Sequence, residues 1–169
     1  KRIIVIAILS FAALIFWAAF EQAPTSLQLF AKDFTQREFF GWEVPATWFQ
    51  SINSLFIIIF APVFAWLWVW LGNRNINISS PAKFAFGLAM AAVGFGLMII
   101  PANALVATGG AIKVSALWLT FSYLFQTFGE LSLSPVGLSS MTKLSPRRYV
   151  GQMMGIWFLA TSLGNLIAG

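Results

Sequence analysis

Residues 48–71 read WFQSINSLFIIIFAPVFAWLWVWL, without one charged side chain. A helix gains about 1.5 Å per residue, so this stretch reaches roughly 36 Å, enough to cross ~30 Å of hydrocarbon. A helix is also the form in which a single segment bonds all of its own backbone polar groups away from water. The stretch therefore reads as a membrane-spanning helix, and the rest of the chain repeats the reading. Apolar segments long enough to span lie at about 3–31, 46–71, 82–106, 115–141 and 150–169. Between them, residues 72–81 and 142–148 are rich in turn-forming Gly, Asn, Ser and Pro. Residues 32–47 mix both signs of charge with Phe39, Phe40 and Trp42, as suits a loop at an interface. The expectation is an all-α membrane protein with five transmembrane helices.

Composition agrees. Of 169 residues, 59% are apolar and 9% charged, against about 25% charged in a soluble domain. There is no cysteine and no histidine, which removes disulfides, thiol nucleophiles, imidazole bases and Cys/His metal centres. The net charge of +5 comes from ten Lys and Arg scattered along the chain in ones and twos. No basic run invites nucleic acid, and such charges set membrane orientation instead. One side of the spans collects Lys1, Arg2, Arg74, Lys83, Lys143, Arg147 and Arg148; the other holds Lys32, Arg37 and Lys113. By the positive-inside rule the amino terminus is expected to be cytoplasmic, in a multi-pass protein of the inner (plasma) membrane. The odd number of spans, and a final apolar run with no stop signal, lead us to expect a piece of a larger transporter or channel.

Ionisable groups in lipid cost about 2.5 to 3.5 kcal/mol each on insertion scales, so their positions carry information. Asp33, Glu38 and Glu43 fall in the 32–47 loop. Glu130 falls roughly 24 Å along its helix from Ser115, close to mid-membrane. Tyr123, Thr127 and Ser134 share its face, a polar stripe expected to look onto a wet cavity. Pro135, just beyond, cannot donate a backbone bond to Leu131. Two roles fit Glu130: a substrate or proton site, or an interhelical pair that fixes packing. Glu21, followed by Gln22 and Pro24, comes about 27 Å from Ile3, in the outer membrane or at its edge. Asn53 lies a turn or two inside the second helix and offers both a donor and an acceptor to a neighbouring helix or a peptide-like ligand. Trp42, Trp48 and Trp118 are expected at outer helix ends and Trp66, Trp68 and Trp70 at an inner end. Trp17 and Trp157 lie away from helix ends, as lipid-facing bulk or as cavity walls with one N–H donor each. Gly151 and Gly155, and the set Gly87, Ala91, Ala92 and Gly96, have the spacing of close helix contacts.

The strings FWAAFEQ (16–22), WFQSINSLFIIIFAPVFAWLW (48–68), FGELSLSPVGLSSMTKLSP (128–146) and QMMGIWFL (152–159) resemble the carboxy-terminal half of the proton-dependent oligopeptide transporters of the major facilitator superfamily. That resemblance implies helices seven to eleven of a twelve-helix fold, with an amino-terminal six-helix half outside this chain. It implies symport of di- and tripeptides by alternating access, with the proton as coupling ion and no cofactor. Glu130 resembles the acid that holds the peptide amino group. Asn53 resembles the amide that bonds the peptide backbone. Trp17, Trp157, Phe158, Ser134 and Thr161 match positions lining side-chain pockets, and Glu21 matches an acid linked to coupling and gating. Some bacterial members carry two adjacent acids at that last place, whereas here the first of the two is Phe20. The alternatives are another major facilitator carrier, for sugars or drugs, and a channel or assembly module in which Glu130 only pairs helices. An enzyme is not expected, because Glu130 and Glu21 are the two intramembrane acids and their depths differ.

Overall fold

The computed structural model describes residues 2–169; Lys1, counted above for orientation, lies outside them. Five helical rods run up and down, each built over one of the five apolar segments. The first comprises α1 (Arg2–Phe20), a π turn at Ala23–Leu27 and α2 (Gln28–Asp33). Pro24 explains the π turn. It has no N–H for the carbonyl one turn back, and the chain widens until Leu27 N–H donates to Gln22 O at 3.0 Å, five residues away. The second rod is α3 (Trp48–Asn73). The third is α4 (Ser80–Leu97) continued by α5 (Ile99–Ala107), broken at Met98 where Pro101 withholds the next turn's bond. Then come α6 (Leu117–Leu144), with Pro135 inside it, and α7 (Val150–Ala168), entered through a 3-10 turn at Arg147–Tyr149.

Short strands tie the ends. β1 (Thr35–Gln36) pairs in parallel with β4 (Val114–Ser115), bringing two inter-rod connections to one end of the bundle. β2 (Glu38–Phe39) and β3 (Trp42–Glu43) form a hairpin closed by Phe40 and Gly41, both at positive φ. Arg37 pairs with Glu43 at 2.6 Å and donates to Val44 O at 2.8 Å. The 32–47 segment is thus partly strand, where an irregular loop was expected. At the other end Lys83 sits 4.3 Å over the Trp68 ring and Arg74 4.2 Å over Trp70, so an aromatic layer and cations do coincide there.

Four rods, Arg2–Asp33, Trp48–Asn73, Ser80–Ala107 and Arg147–Ala168, are long and apolar enough to cross a membrane. The fifth expected span, α6, has the length, but its run of Ser, Thr and Gln with Glu130 makes it less apolar than these four. Its position explains why the sequence tolerates this. It is the central helix, packing closely on α4 and also against α3, α7 and α1, while α1 packs mainly on α7.

Close approach depends on missing side chains. A Cβ on Gly129 would stand 2.7 Å from the Gly87 carbonyl oxygen, and one on Gly87 would stand 2.9 Å from that of Gly129, so α4 and α6 touch backbone to backbone. Between α1 and α7, Gly164 abuts Leu14 O in the same way. Gly151, Gly155 and Gly96, expected at contacts, face open space instead, and Ala92 is exposed. Within the α4 set, Gly87 and Ala91 make the expected contact, with Gly129 of α6, while the spacing on α7 marks a face with no neighbour among the described residues. Around these contacts, Phe16, Phe84, Leu133, Met141 and Trp157 form one apolar cluster, and Phe49, Met98, Leu119 and Tyr123 form a second towards the strand end.

Candidate functional site

The middle of α6 carries Glu130, half-buried, facing α3. Asn53, in the second turn of α3, donates from Nδ2 to Glu130 Oε2 at 3.4 Å. Thr127, one turn earlier on α6, donates from Oγ1 to Asn53 Oδ1 at 2.5 Å. Both ends of one carboxamide are thereby engaged by one helix. The Asn53–Glu130 bond is long for an N–H···O contact, so it holds the carboxylate loosely. Glu21 lies between α1 and the π turn, half-buried.

The polar stripe does not face a cavity along its whole length. Tyr123 and Thr127 are fully buried: the Tyr123 hydroxyl donates to Ala23 O at 3.4 Å, and Thr127 is satisfied by Asn53 and by the Tyr123 carbonyl. These two hydroxyls have protein partners, which is why helices close over them. The stripe opens one turn after Glu130, at Ser134.

There a cavity of about 210 Å3 is lined by Trp17, Ser134, Leu138, Trp157, Phe158, Thr161 and Asn165. Five residues singled out in the sequence, Trp17, Ser134, Trp157, Phe158 and Thr161, therefore converge on one space from α1, α6 and α7. Trp157 is seated by Gly137: its indole fills the place a side chain there would take, and its ring meets Phe84 edge-on at 5.9 Å. Phe16 and Phe20 flank Trp17, with ring centroids at 5.7 and 5.3 Å. Two polar atoms on the cavity wall, Trp17 Nε1 and Ser134 Oγ, are buried without a hydrogen-bond partner among the described residues. Orphaned donors of this kind favour a guest that supplies acceptors. The cavity thus offers aromatic walls with two unsatisfied polar groups, one turn of α6 from a loosely held carboxylate. Among the described residues no cluster of acids could hold a metal ion.

The sequence reading missed Asn165 and Leu138. The signal was present: Asn165 continues the Trp157–Thr161 face of α7 at four-residue steps, and Leu138 lies four residues after Ser134. It also missed Gln22, whose Nε2 donates to Ala168 O at 3.1 Å and ties the end of α1 to the end of α7.

Comparison with known proteins points one way. The family model described as PTR2, POT family, matches residues 1–169. A peptide transporter of Yersinia enterocolitica subsp. palearctica is 54% identical over 168 residues, covering 99% of this chain and 33% of the relative. Dipeptide and tripeptide permease A of Escherichia coli K12 is 37% identical over 169 residues, covering 100% and 33%. The crystal structure of a peptide transporter POT in complex with sulfate superposes with a TM-score of 0.87 at 42% identity, covering 99% of this chain and 33% of that one. The chain spans about a third of the length of each.

Proposed function

Because the chain belongs to the POT family, we propose that it supplies helices seven to eleven, a carboxy-terminal bundle at residues 1–169, of a proton-coupled symporter that imports di- and tripeptides by alternating access. In this reading all five rods, α6 included, cross the inner membrane, the amino terminus is cytoplasmic, and an amino-terminal six-helix half completes the cavity.

The observation that carries the reading is that Glu130, bonded to Asn53, lies one helical turn before Ser134, which lines the cavity walled by Trp17, Trp157, Phe158 and Thr161. A peptide zwitterion brings an ammonium, a carboxylate and amides whose desolvation is costly unless each is matched. Glu130 receives the ammonium: its bond to Asn53, long at 3.4 Å and from a neutral donor, is weaker than one from an ammonium and yields to it. Asn53 turns an N–H to a peptide carbonyl. The variable side chain enters the cavity, where Trp17 Nε1–H and the Ser134 hydroxyl are free to meet an acceptor and the aromatic walls take apolar groups. Bonds to groups shared by all peptides, with shape left to aromatic surfaces, give broad selectivity.

Glu130 carries coupling because the same oxygens accept either the peptide ammonium or a proton, so occupancy of one excludes the other. Glu21, at the junction of α1 and the π turn, links that exchange to the end of α1. The proton is the coupling ion and no cofactor takes part. Glu130→Gln in the full-length protein is expected to abolish dipeptide accumulation driven by an imposed proton gradient while leaving the protein folded. Accumulation at the wild-type level would overturn the assignment and leave Glu130 as a helix pair.

A further inference from the structure

We propose that Thr127 is a positioning residue for the peptide site: its hydroxyl sets the Asn53 amide so that the NH2 end, not the oxygen, faces Glu130 and an arriving peptide. The inference rests on the reading of Asn53 and Glu130 as peptide contacts.

A carboxamide is nearly symmetric in shape and opposite in chemistry at its two ends, one accepting two bonds and the other donating two. Untethered, Asn53 could present either end. With its oxygen forward it would face the Glu130 carboxylate as acceptor against acceptor and could bond only the N–H groups of a ligand. The carboxylate, which only accepts, takes the NH2 end, and Thr127 holds the oxygen end in place behind it. Thr127 Oγ1 lies 2.5 Å from Asn53 Oδ1 and donates to it, while Nδ2 donates to Glu130. One N–H of that group goes to the carboxylate, and the second remains for a carbonyl.

The tether is rigid and reversible. Thr127 is completely buried in the middle of α6, and β-branching leaves few χ1 states in a helix. The occupied rotamer places Oγ1 within reach of a second acceptor, the Tyr123 carbonyl at 2.8 Å. One hydroxyl hydrogen serves one of these acceptors at a time. When Asn53 moves towards a peptide, the hydroxyl turns to the Tyr123 carbonyl and no buried donor is orphaned. When the peptide leaves, the amide is recaptured in the same orientation. Residue 127 therefore has to be a β-hydroxy residue; a serine keeps the function and a valine of the same shape loses it.

The test is a double-mutant cycle in the full-length protein, read as dialanine affinity and turnover in counterflow, with size-exclusion profiles confirming folded protein. Thr127→Ser is expected within about twofold of wild type. Thr127→Val is expected to weaken dialanine affinity about fivefold with turnover largely retained, the size of one lost neutral hydrogen bond. In an Asn53→Ala background, Thr127→Val is expected to add nothing, because its partner is gone. If valine fails to yield monodisperse protein, Thr127→Ala takes its place in the same cycle. Equal weakening with and without Asn53 would overturn the positioning role, as would a Thr127→Val protein matching wild type. If the unmutated protein does not exchange dialanine at all, the peptide reading falls, and the role of Thr127 with it.

Discussion

Two helices of similar length, α3 with 26 residues and α6 with 28, solve opposite problems. Phe, Ile, Leu and Trp dominate α3, which nonetheless buries only Phe49. By contrast α6 carries a glutamate, a glutamine and five serines, and more buried residues than any other helix. Among these only Leu119, Leu133 and Met141 are aliphatic; the others are Ser122, Tyr123, Gln126, Thr127, Gly129, Ser132, Gly137 and Ser140. In water the apolar helix would be inside. In lipid, tails are as apolar as leucine, and helices associate through close packing and polar pairing instead. Small residues let backbones meet, and groups that lipid cannot satisfy are driven inward to find partners. The helix that hydropathy marks most weakly is therefore the one around which the others assemble, and it is also where the candidate site lies.

The sharpest way to break this contrast is at the backbone contact. Gly129→Val would drive a branched side chain at the Gly87 carbonyl, where even a Cβ would stand 2.7 Å away and where Phe16 closes the remaining side. Neither backbone can rotate away, so α4 and α6 must separate. Overpacking typically costs 1–3 kcal/mol, and a clash with main chain belongs at or beyond the top of that range, about 3 kcal/mol or more. The expected result is loss of monodisperse protein in detergent. Wild-type yield and thermal stability would show that the two helices do not need to touch.

Next comes a test of what packing is worth when water is not the alternative. Leu133→Ala removes a side chain with no exposure, set among Phe16, Phe84 and Trp157. In a soluble core such a change costs 2–5 kcal/mol, part of it transfer from water and part the cavity left behind. Against a lipid reference the transfer part largely drops out. The expected loss is therefore near the bottom of the range, ~2 kcal/mol, measured as a shift in denaturant midpoint in detergent or bicelles. A loss near 5 kcal/mol would mean that water, not lipid, is the state against which this core is stabilised.

How much of this was legible beforehand follows from the same physics. The uncharged run at 48–71 and its counterparts located the rods, because spanning lipid imposes length and apolarity on one segment at a time. Pro24 and Pro101 were visible, but their outcomes, a π turn and a broken rod, depend on how the neighbouring backbone relaxes. The convergence of Trp17, Ser134, Trp157, Phe158 and Thr161 came from resemblance; helical spacing alone would have added Asn165 to Trp157 and Thr161 without saying that α1 meets them. Thr127 with Asn53 was out of reach, since a bond between residues 74 positions apart requires the axial register of two helices. The glycines show the same limit. The spacing of Gly151 and Gly155 marks a face without a neighbour here, and although Gly87 was visible from its spacing, only the fold reveals that Gly129 and Gly164 also stand at backbone contacts.

The smallest expected effect is on the other helix of the pair. Ile58, 72% exposed on α3, is as apolar as anything in the core, and a rule based on apolarity alone would rank Ile58→Ala with Leu133→Ala. The contrast drawn here ranks them apart: in the bilayer Ile58 exchanges contact with lipid tails for contact with lipid tails, leaves no internal cavity, and should change stability by less than about 0.5 kcal/mol. The same unfolding measurement decides between them. A loss above about 1 kcal/mol would mean that this face of α3 is packed against protein in the full-length molecule, which would turn the barest helix of this chain into an interface and extend the α6 rule, burial by contact and not by hydropathy, to α3 as well.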